Sequence, residues 1–293
     1  MIPVAFDYAV PDTLDDALAR LAEAGDDGKV LAGGQSLIPV LKLRMAAPSV
    51  LVDLGRIDGL RGVREDGDAI VIGAMTTHDQ VVHDPLVARY ANLLVQAARA
   101  IADPQIRHRG TFGGALVHAD PAADLPSPVL ALDAEFVIAG RGGGRTVAAA
   151  DFFQDMFTTA VGEDEILTEV RIPKREGWGT HHEKFTRTAQ QWPIVGVSVA
   201  VRVQDGVIAE ARVGLANMAS VPLRATATEQ ALVGCPVAGD AASDAAIADA
   251  VAGVAEGTNP PDDANGDAVY RRHLAVVLAR KAVAAAVLAV EAS

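Results

Sequence analysis

Gly33-Gly34 and Gly113-Gly114 are the residues whose type and spacing most suggest chemistry. The first pair lies in Ala32-Gly33-Gly34-Gln35-Ser36, the second in Arg109-Gly110-Thr111-Phe112-Gly113-Gly114-Ala115. Adjacent glycines take positive φ and carry no Cβ, so successive amide N–H groups can converge on one anion. Ser36 and Thr111 each add a hydroxyl donor, and a helix after Ser36 would add its N-terminal amides and positive dipole end. Two such loops suit the two phosphates of a dinucleotide. A lone Gly-Gly is usually only a tight turn. No Gly-x-x-x-x-Gly-Lys-Ser/Thr occurs and no Gly-x-Gly-x-x-Gly follows the first strand, which weighs against ATPase and Rossmann sites.

The second loop runs on through Leu116-Val117-His118-Ala119-Asp120-Pro121-Ala122-Ala123-Asp124. His118, Asp120 and Asp124 could be read as metal ligands, but nothing nearby completes the shell. A carboxylate beside a glycine-rich loop is better suited to accept hydrogen bonds from sugar hydroxyls. His118 as a catalytic base lacks a nucleophile or reacting group beside it.

The elements that must position these loops alternate strand and helix at first. Pro3 to Tyr8 reads as a strand, and Thr13 as an N-cap with Asp16 three residues on. Leu14, Ala17, Leu18 and Leu21 form one helical stripe. Lys29 to Ala32 reads as a strand, Leu37 to Met45 as a helix capped by Ser36, and Val50 to Leu54 as a strand. These make a βαβαβ unit of roughly sixty residues. Beyond it, Gly62–Arg64 and Ala69–Gly73 form a hairpin, Leu86 to Ile101 has helical periodicity, and Thr111 to His118 looks strand-like. Phe136–Ile138 and Thr146–Ala148 flank a glycine turn, and a strand over Ile166–Ile172 stops at Pro173. After this boundary come strands near Glu183–Arg187, Ile194–Val203 and Val207–Leu215, the last two joined by Asp205-Gly206, a two-residue hairpin signal. Helices follow over Thr226–Val233, Ala241–Val254 and about Tyr270 to Ala292. There are no internal repeats.

The composition narrows the function classes. The chain has 293 residues, half of them hydrophobic, so a sizeable core is available. A formal net charge of −13 repels nucleic acid and anionic membrane surfaces. Cys235 is the only cysteine, so neither an internal disulfide nor an iron–sulfur cluster can form within the chain. It reads as a partly buried thiol near a turn. No signal-peptide pattern opens the sequence, and the longest strongly apolar run, Ala282 to Val290, is short for a bilayer span. The expectation is a cytoplasmic protein with no membrane-spanning segment.

Taken together, Ala-Gly-Gly-Gln-Ser at 32–36 and Arg-Gly-Thr-Phe-Gly-Gly-Ala-Leu-Val-His-Ala-Asp-Pro-Ala-Ala-Asp at 109–124 resemble the FAD-binding medium subunit of molybdenum hydroxylases. That family includes the flavin subunit of carbon monoxide dehydrogenase and the flavin domain of xanthine dehydrogenase. The likeness extends through Asp164 to Pro173 and His182-Glu183-Lys184-Phe185 and covers essentially the whole chain. It implies an α+β protein: a two-subdomain α/β FAD-binding domain of the vanillyl-alcohol-oxidase/PCMH type over 1–176 (subdomains about 1–58 and 59–176), then a small sheet-plus-helices domain over 177–293.

The resemblance also implies site roles. Ala32, Gly33, Gly34, Gln35, Ser36 and Thr111, Phe112, Gly113, Gly114, Ala115 would wrap the FAD pyrophosphate, and Asp124 would bond the sugar-alcohol part. The Leu167 backbone would contact the ring edge and Lys184 the pyrimidine side of the isoalloxazine. No residue of this chain is expected to be catalytic or to bind a metal. Molybdenum cofactor and [2Fe-2S] clusters would sit in a large molybdenum-binding subunit and a small iron–sulfur subunit, the whole being a dimer of heterotrimers. The chain would pass electrons from those clusters to an external acceptor. A free-standing flavoenzyme acting directly on a small substrate is the main rival. A subunit with a vestigial flavin site is another, and intact glycines in both loops count against it. The sequence departs from the family at Phe112 (usually Ile or Leu), Ala115 (often Asn or Ser), His108 (commonly Asn) and Gln190-Gln191-Trp192-Pro193. Trp192 would either shield the ring or pack.

Overall fold

A computed structural model describes residues 1–291. The first unit comprises β1 (Asp7–Ala9), α1 (Leu14–Ala24), β2 (Gly28–Leu31), α2 (Leu37–Lys42) and β3 (Val50–Asp53). Its strands form a parallel sheet in the order β1-β3-β2, the βαβαβ arrangement expected. The first strand starts later than Pro3, where the Asp7 N–H donates to the Ser49 carbonyl at 2.7 Å. Thr13 caps α1, its hydroxyl accepting from the Asp16 N–H. Ala17, Leu18 and Leu21 are buried with Val52 and Leu54. Ser36, by contrast, is itself helical in backbone and makes no capping hydrogen bond. Here α2 ends after six residues, with Arg44 in the left-handed region.

The second unit runs through β4 (Val63–Asp66), β5 (Ala69–Gly73), α3 (His78–His83), α4 (Pro85–Tyr90), α5 (Asn92–Ala100), α6 (Pro104–Arg107), α7 (Phe112–His118) and α8 (Pro126–Ala131). It continues as β6 (Glu135–Gly140), β7 (Gly143–Ala148), α9 (Ala149–Phe152), β8 (Phe153–Asp155), β9 (Thr158–Thr159) and β10 (Ile166–Pro173). An antiparallel sheet in the order β4-β5-β10-β6-β7 carries the core, in which Phe136 stacks on Phe152. Two expectations need correcting. The helical stretch from Leu86 breaks at Ala91, whose φ of −146° is not helical. More importantly, Thr111–His118 is not a strand. Thr111 is an N-cap, its hydroxyl accepting from the Gly114 N–H at 3.2 Å, and Phe112 and Leu116 share the buried face. Capping and burial override the β-leaning composition of Thr, Phe and Val.

The third unit is an antiparallel sheet, β11 (Gly179–Phe185), β12 (Val195–Gln204), β13 (Val207–Ala216) and β14 (Leu223–Arg224), with α10 (Thr226–Leu232), α11 (Ala241–Val251) and α12 (Ala268–Glu291). Asp205 and Gly206 both take positive φ, 53° and 77°, as the tight hairpin of β12 and β13 requires. The expected end of the last helix at Ala292 lies outside the described residues. β11 begins earlier than Glu183 because Gly179 lets α12 approach: a Cβ there would stand 1.9 Å from the Ala286 carbonyl oxygen. Ala268–Val290 is long and apolar enough to cross a bilayer, with mean hydropathy 1.9, although its most apolar run is short. In this fold Leu278, Ala282, Val283 and Ala286 are buried in the core that α12 shares with the sheet. Arg175, Arg212 and Arg224 converge on Asp133 between the second and third units.

Candidate cofactor site

The two glycine loops, distant in sequence, touch. A Cβ on Gly33 would lie 2.2 Å from the Arg109 carbonyl oxygen and 2.8 Å from the Gly110 Cα. One on Gly114 would lie 3.3 Å from the Ala32 Cβ and 2.6 Å from the Thr111 hydroxyl. These separations are shorter than van der Waals contact, so only glycine permits the approach. Gly34 has φ +74°, which further restricts it.

The loops do not share one role. In the second, the N–H groups of Phe112, Gly113 and Gly114 donate to the Thr76 carbonyl (2.8 Å), the Ala74 carbonyl (2.8 Å) and the Thr111 hydroxyl (3.2 Å). Ala115 donates to the Thr111 carbonyl. The expectation of an amide nest there is therefore corrected: this loop is a close-packed wall, with Phe112 wholly buried. In the first loop, among the described residues, the N–H groups of Gly33, Gly34, Gln35 and Ser36 meet no acceptor. The Gln35 side chain donates to the Gly33 carbonyl, and the Ser36 hydroxyl is left unused. Four amides without an acceptor, beside a wall that admits no side chain, are suited to a diphosphate. Among the described residues the exposed side chain of Arg109 meets no hydrogen-bond or ion-pair partner, and it lies within electrostatic reach of Tyr8. The Tyr8 phenol donates to Asp53, which holds its proton beyond the usual range.

Asp124 and Lys184 come together in a second cluster. The Lys184 ammonium donates to Asp124 Oδ2 and to the Ala100 carbonyl, each at 2.8 Å, with both side chains almost fully buried. His182, two residues before Lys184 on β11, points the same way, and its Nε2 lies 3.8 Å from Asp124 Oδ1. Sequence reasoning passed over His182, His78 and the Ala100 carbonyl. For His182 the two-residue spacing from Lys184 was an available signal; for Ala100 there was none. Leu167 is buried on β10, where a register shift between Leu167 and Glu169 interrupts the ladder and the Thr168 carbonyl accepts from the Ala74 N–H. That backbone thus adjoins Ala74, the residue on which Gly113 rests.

The family model for the FAD binding domain in molybdopterin dehydrogenase matches residues 4–175. The chain belongs to the FAD-binding subunits of molybdenum hydroxylases. A model for the CO dehydrogenase flavoprotein C-terminal domain matches residues 180–286 of this flavoprotein. The carbon monoxide dehydrogenase medium chain of Hydrogenophaga pseudoflava is 39% identical over 287 residues, 98% of each chain. The nicotine 6-hydroxylase medium subunit of Paenarthrobacter nicotinovorans is 36% identical, covering 95% of this chain and 96% of that one. The solved carbon monoxide dehydrogenase from Hydrogenophaga pseudoflava superimposes with TM-score 0.91 at 40% identity over 98% of each chain.

Other residues of this flavoprotein singled out by sequence turn elsewhere. His118 rests against Phe157 at 5.2 Å, and burial pushes its imidazole down, with Asp120 opposing. Asp120 accepts from the Ala122 N–H. Among the described residues no three metal-ligating side chains gather. Trp192 is 66% exposed, so it does not pack. His78 is buried, and that burial lowers its pKa to about 4, with Asp124 opposing and Arg107 assisting. Unfolded, it would titrate near ~6.5. The unfolded chain therefore takes the proton first, and stability is lost as pH falls from there toward 4. Urea unfolding at pH 7 and 4.5 should show His78→Leu escaping roughly 2–3 kcal/mol of the wild-type loss. Equal losses in both proteins would reject this assignment.

Proposed function

We propose that the first glycine loop and the buried Asp124–Lys184 pair together hold one FAD without a covalent bond. The observation that carries this is the contact of Gly33 with the Arg109–Gly110 backbone, beside which the amides of residues 33–36 meet no acceptor among the described residues. Residues 33–36 would take the pyrophosphate, with Thr111–Ala115 as the wall behind it. Asp124 would accept hydrogen bonds from the sugar-alcohol chain, the Leu167 backbone would meet the ring edge, and Lys184 would stand at the pyrimidine side. A cation there stabilises negative charge that collects on reduction and raises the potential. Bound FAD supplies a carrier that takes electrons singly and releases them in pairs.

The chain serves as the electron-transfer subunit of a molybdenum hydroxylase, receiving electrons from iron–sulfur clusters of a partner and handing them to an external acceptor. Its single cysteine, Cys235, is buried with its thiol against the Ala231 and Ala246 carbonyls, so those clusters belong to other chains. The finer reading is a two-subdomain domain of the vanillyl-alcohol-oxidase/PCMH type over 1–176, a C-terminal domain from 177, and a cytoplasmic dimer of heterotrimers with large and small subunits. The near-full-length likeness to medium subunits supports it.

The purified chain should be yellow, and acid or heat should release FAD into solution. Asp124→Ala should weaken FAD binding by about 1.5–3 kcal/mol, the worth of a charge-assisted hydrogen bond. Fluorescence titration of the apoprotein measures this. Colourless protein that takes up no FAD on reconstitution would reject the site.

A further inference from the structure

Four buried side chains make a line that ends on Asp124. The Ser127 and Ser198 hydroxyls are 2.9 Å apart, and the Ser198 hydroxyl is 2.9 Å from His182 Nδ1. Beyond the ring, His182 Nε2 faces Asp124 Oδ1 across 3.8 Å, and neither atom has a hydrogen-bond partner. Both serines are wholly buried, as is the imidazole to within 1%. Orphaned polar atoms at this depth are costly, and two that face each other call for an explanation. The line also crosses between units: Ser127 is on α8 and Asp124 in the loop before it, while His182 and Ser198 lie on β11 and β12. Gln96 fixes β11 there, its Oε1 accepting from the His182 N–H at 2.8 Å.

We infer that His182 is a positioning residue that holds the Asp124 carboxylate for FAD when Lys184 is drawn away. This rests on the reading that Asp124 and Lys184 both face FAD. Lys184 spends its ammonium on Asp124 Oδ2 and the Ala100 carbonyl. Those bonds take two of its three donors, so a turn of the ammonium toward an isoalloxazine edge stretches its grip on Asp124. Lys184 is the one donor the carboxylate has among the described residues, and a buried carboxylate so weakened is unstable. A small rotation of the carboxylate closes the 3.8 Å gap and gives Oδ1 a donor on the side away from Lys184. The proton order follows from chemistry. A carboxylate only accepts, so His182 must carry its proton on Nε2; Nδ1 then accepts from Ser198, whose oxygen accepts from Ser127. The carboxylate sets the tautomer, and the two hydroxyls, which can donate or accept, orient to suit it.

FAD affinity of the full-length apoprotein, measured by fluorescence titration, tests this in a double-mutant cycle. Asn at 182 keeps a group facing Ser198 but none reaching Asp124, whereas Gln places an amide N–H near the Nε2 position. His182→Asn should weaken FAD binding on the order of tenfold and His182→Gln should stay within about threefold of wild type, since the bond to a charged acceptor is what differs. Adding His182→Asn to Asp124→Asn should cost nothing further. If His182→Asn fails to fold, Ser198→Ala, which removes the hydroxyl that holds Nδ1 and leaves the ring, should weaken binding about threefold to fivefold. Equal losses for Asn and Gln, or additive effects of His182→Asn and Asp124→Asn, would overturn the inference alone. Wild-type affinity in Asp124→Asn would overturn both it and the role of Asp124.

Discussion

Replacing Gly33 with valine is expected to leave a folded but colourless chain. The substituted Cβ would need to occupy a point 2.2 Å from the Arg109 carbonyl oxygen. Neither partner can yield easily, because both contacting groups are backbone. Arg109 and Gly110 are tied through their N–H groups to the Ile106 carbonyl, and the Gly110 carbonyl accepts from His78. The seam between the loops must open, and the amides of residues 33–36 would no longer sit against the wall at Thr111–Gly114. Overpacking of this kind costs about 1–3 kcal/mol in a core. Here it falls on the loops directly, and FAD affinity should drop at least roughly a hundredfold when lost anion donors are added. The hydrogen-bonded strands of the sheets do not include Gly33, Arg109 or Gly110, so far-ultraviolet circular dichroism should be little changed. Gly34→Val tests a different feature, the φ of +74° that a β-branched residue strongly resists. Wild-type flavin content in both variants would place the cofactor elsewhere.

The second large effect concerns what the chain does without partners. Isolated protein should be reduced by dithionite and reoxidised by an added acceptor, yet oxidise no heterocycle, aldehyde or carbon monoxide. With one cysteine in 293 residues it cannot house a [2Fe-2S] cluster, so electrons must arrive from another chain. Supplying cognate large and small subunits should restore turnover from zero to the rate of the complex, followed by acceptor reduction in an anaerobic cuvette. The clear counter-result is rapid substrate oxidation by this chain alone with stoichiometric flavin reduction. That outcome would favour a free-standing flavoenzyme over an electron-transfer subunit.

Much of the fold was legible because its signals are local. Thr13 with Asp16 three residues on, the stripe of Ala17, Leu18 and Leu21, and the Asp205-Gly206 turn each act within a few residues. Their outcomes match the structure. The positions of both glycine loops and the membership of the family were likewise readable from order and spacing. Thr111–His118 was misread because its content leans toward strand, while the deciding contact is with Ala74. A Cβ on Gly113 would meet the Ala74 Cβ at 2.5 Å, so that stretch packs as a helix on glycine.

Tertiary structure alone decided which of these residues meet. Gly33 closes on Arg109, and Lys184 on Asp124 across sixty positions of sequence. No pattern within a window reports such pairs, since they follow from how the units pack against one another. The same packing changed the meaning of the second glycine pair. Sequence showed that its amides were free of side chains, but the Ala74 carbonyl takes the Gly113 hydrogen and the Thr111 hydroxyl takes that of Gly114. An amide serves as an anion donor only where the fold leaves it without an acceptor, and that balance is settled by contacts, not by composition.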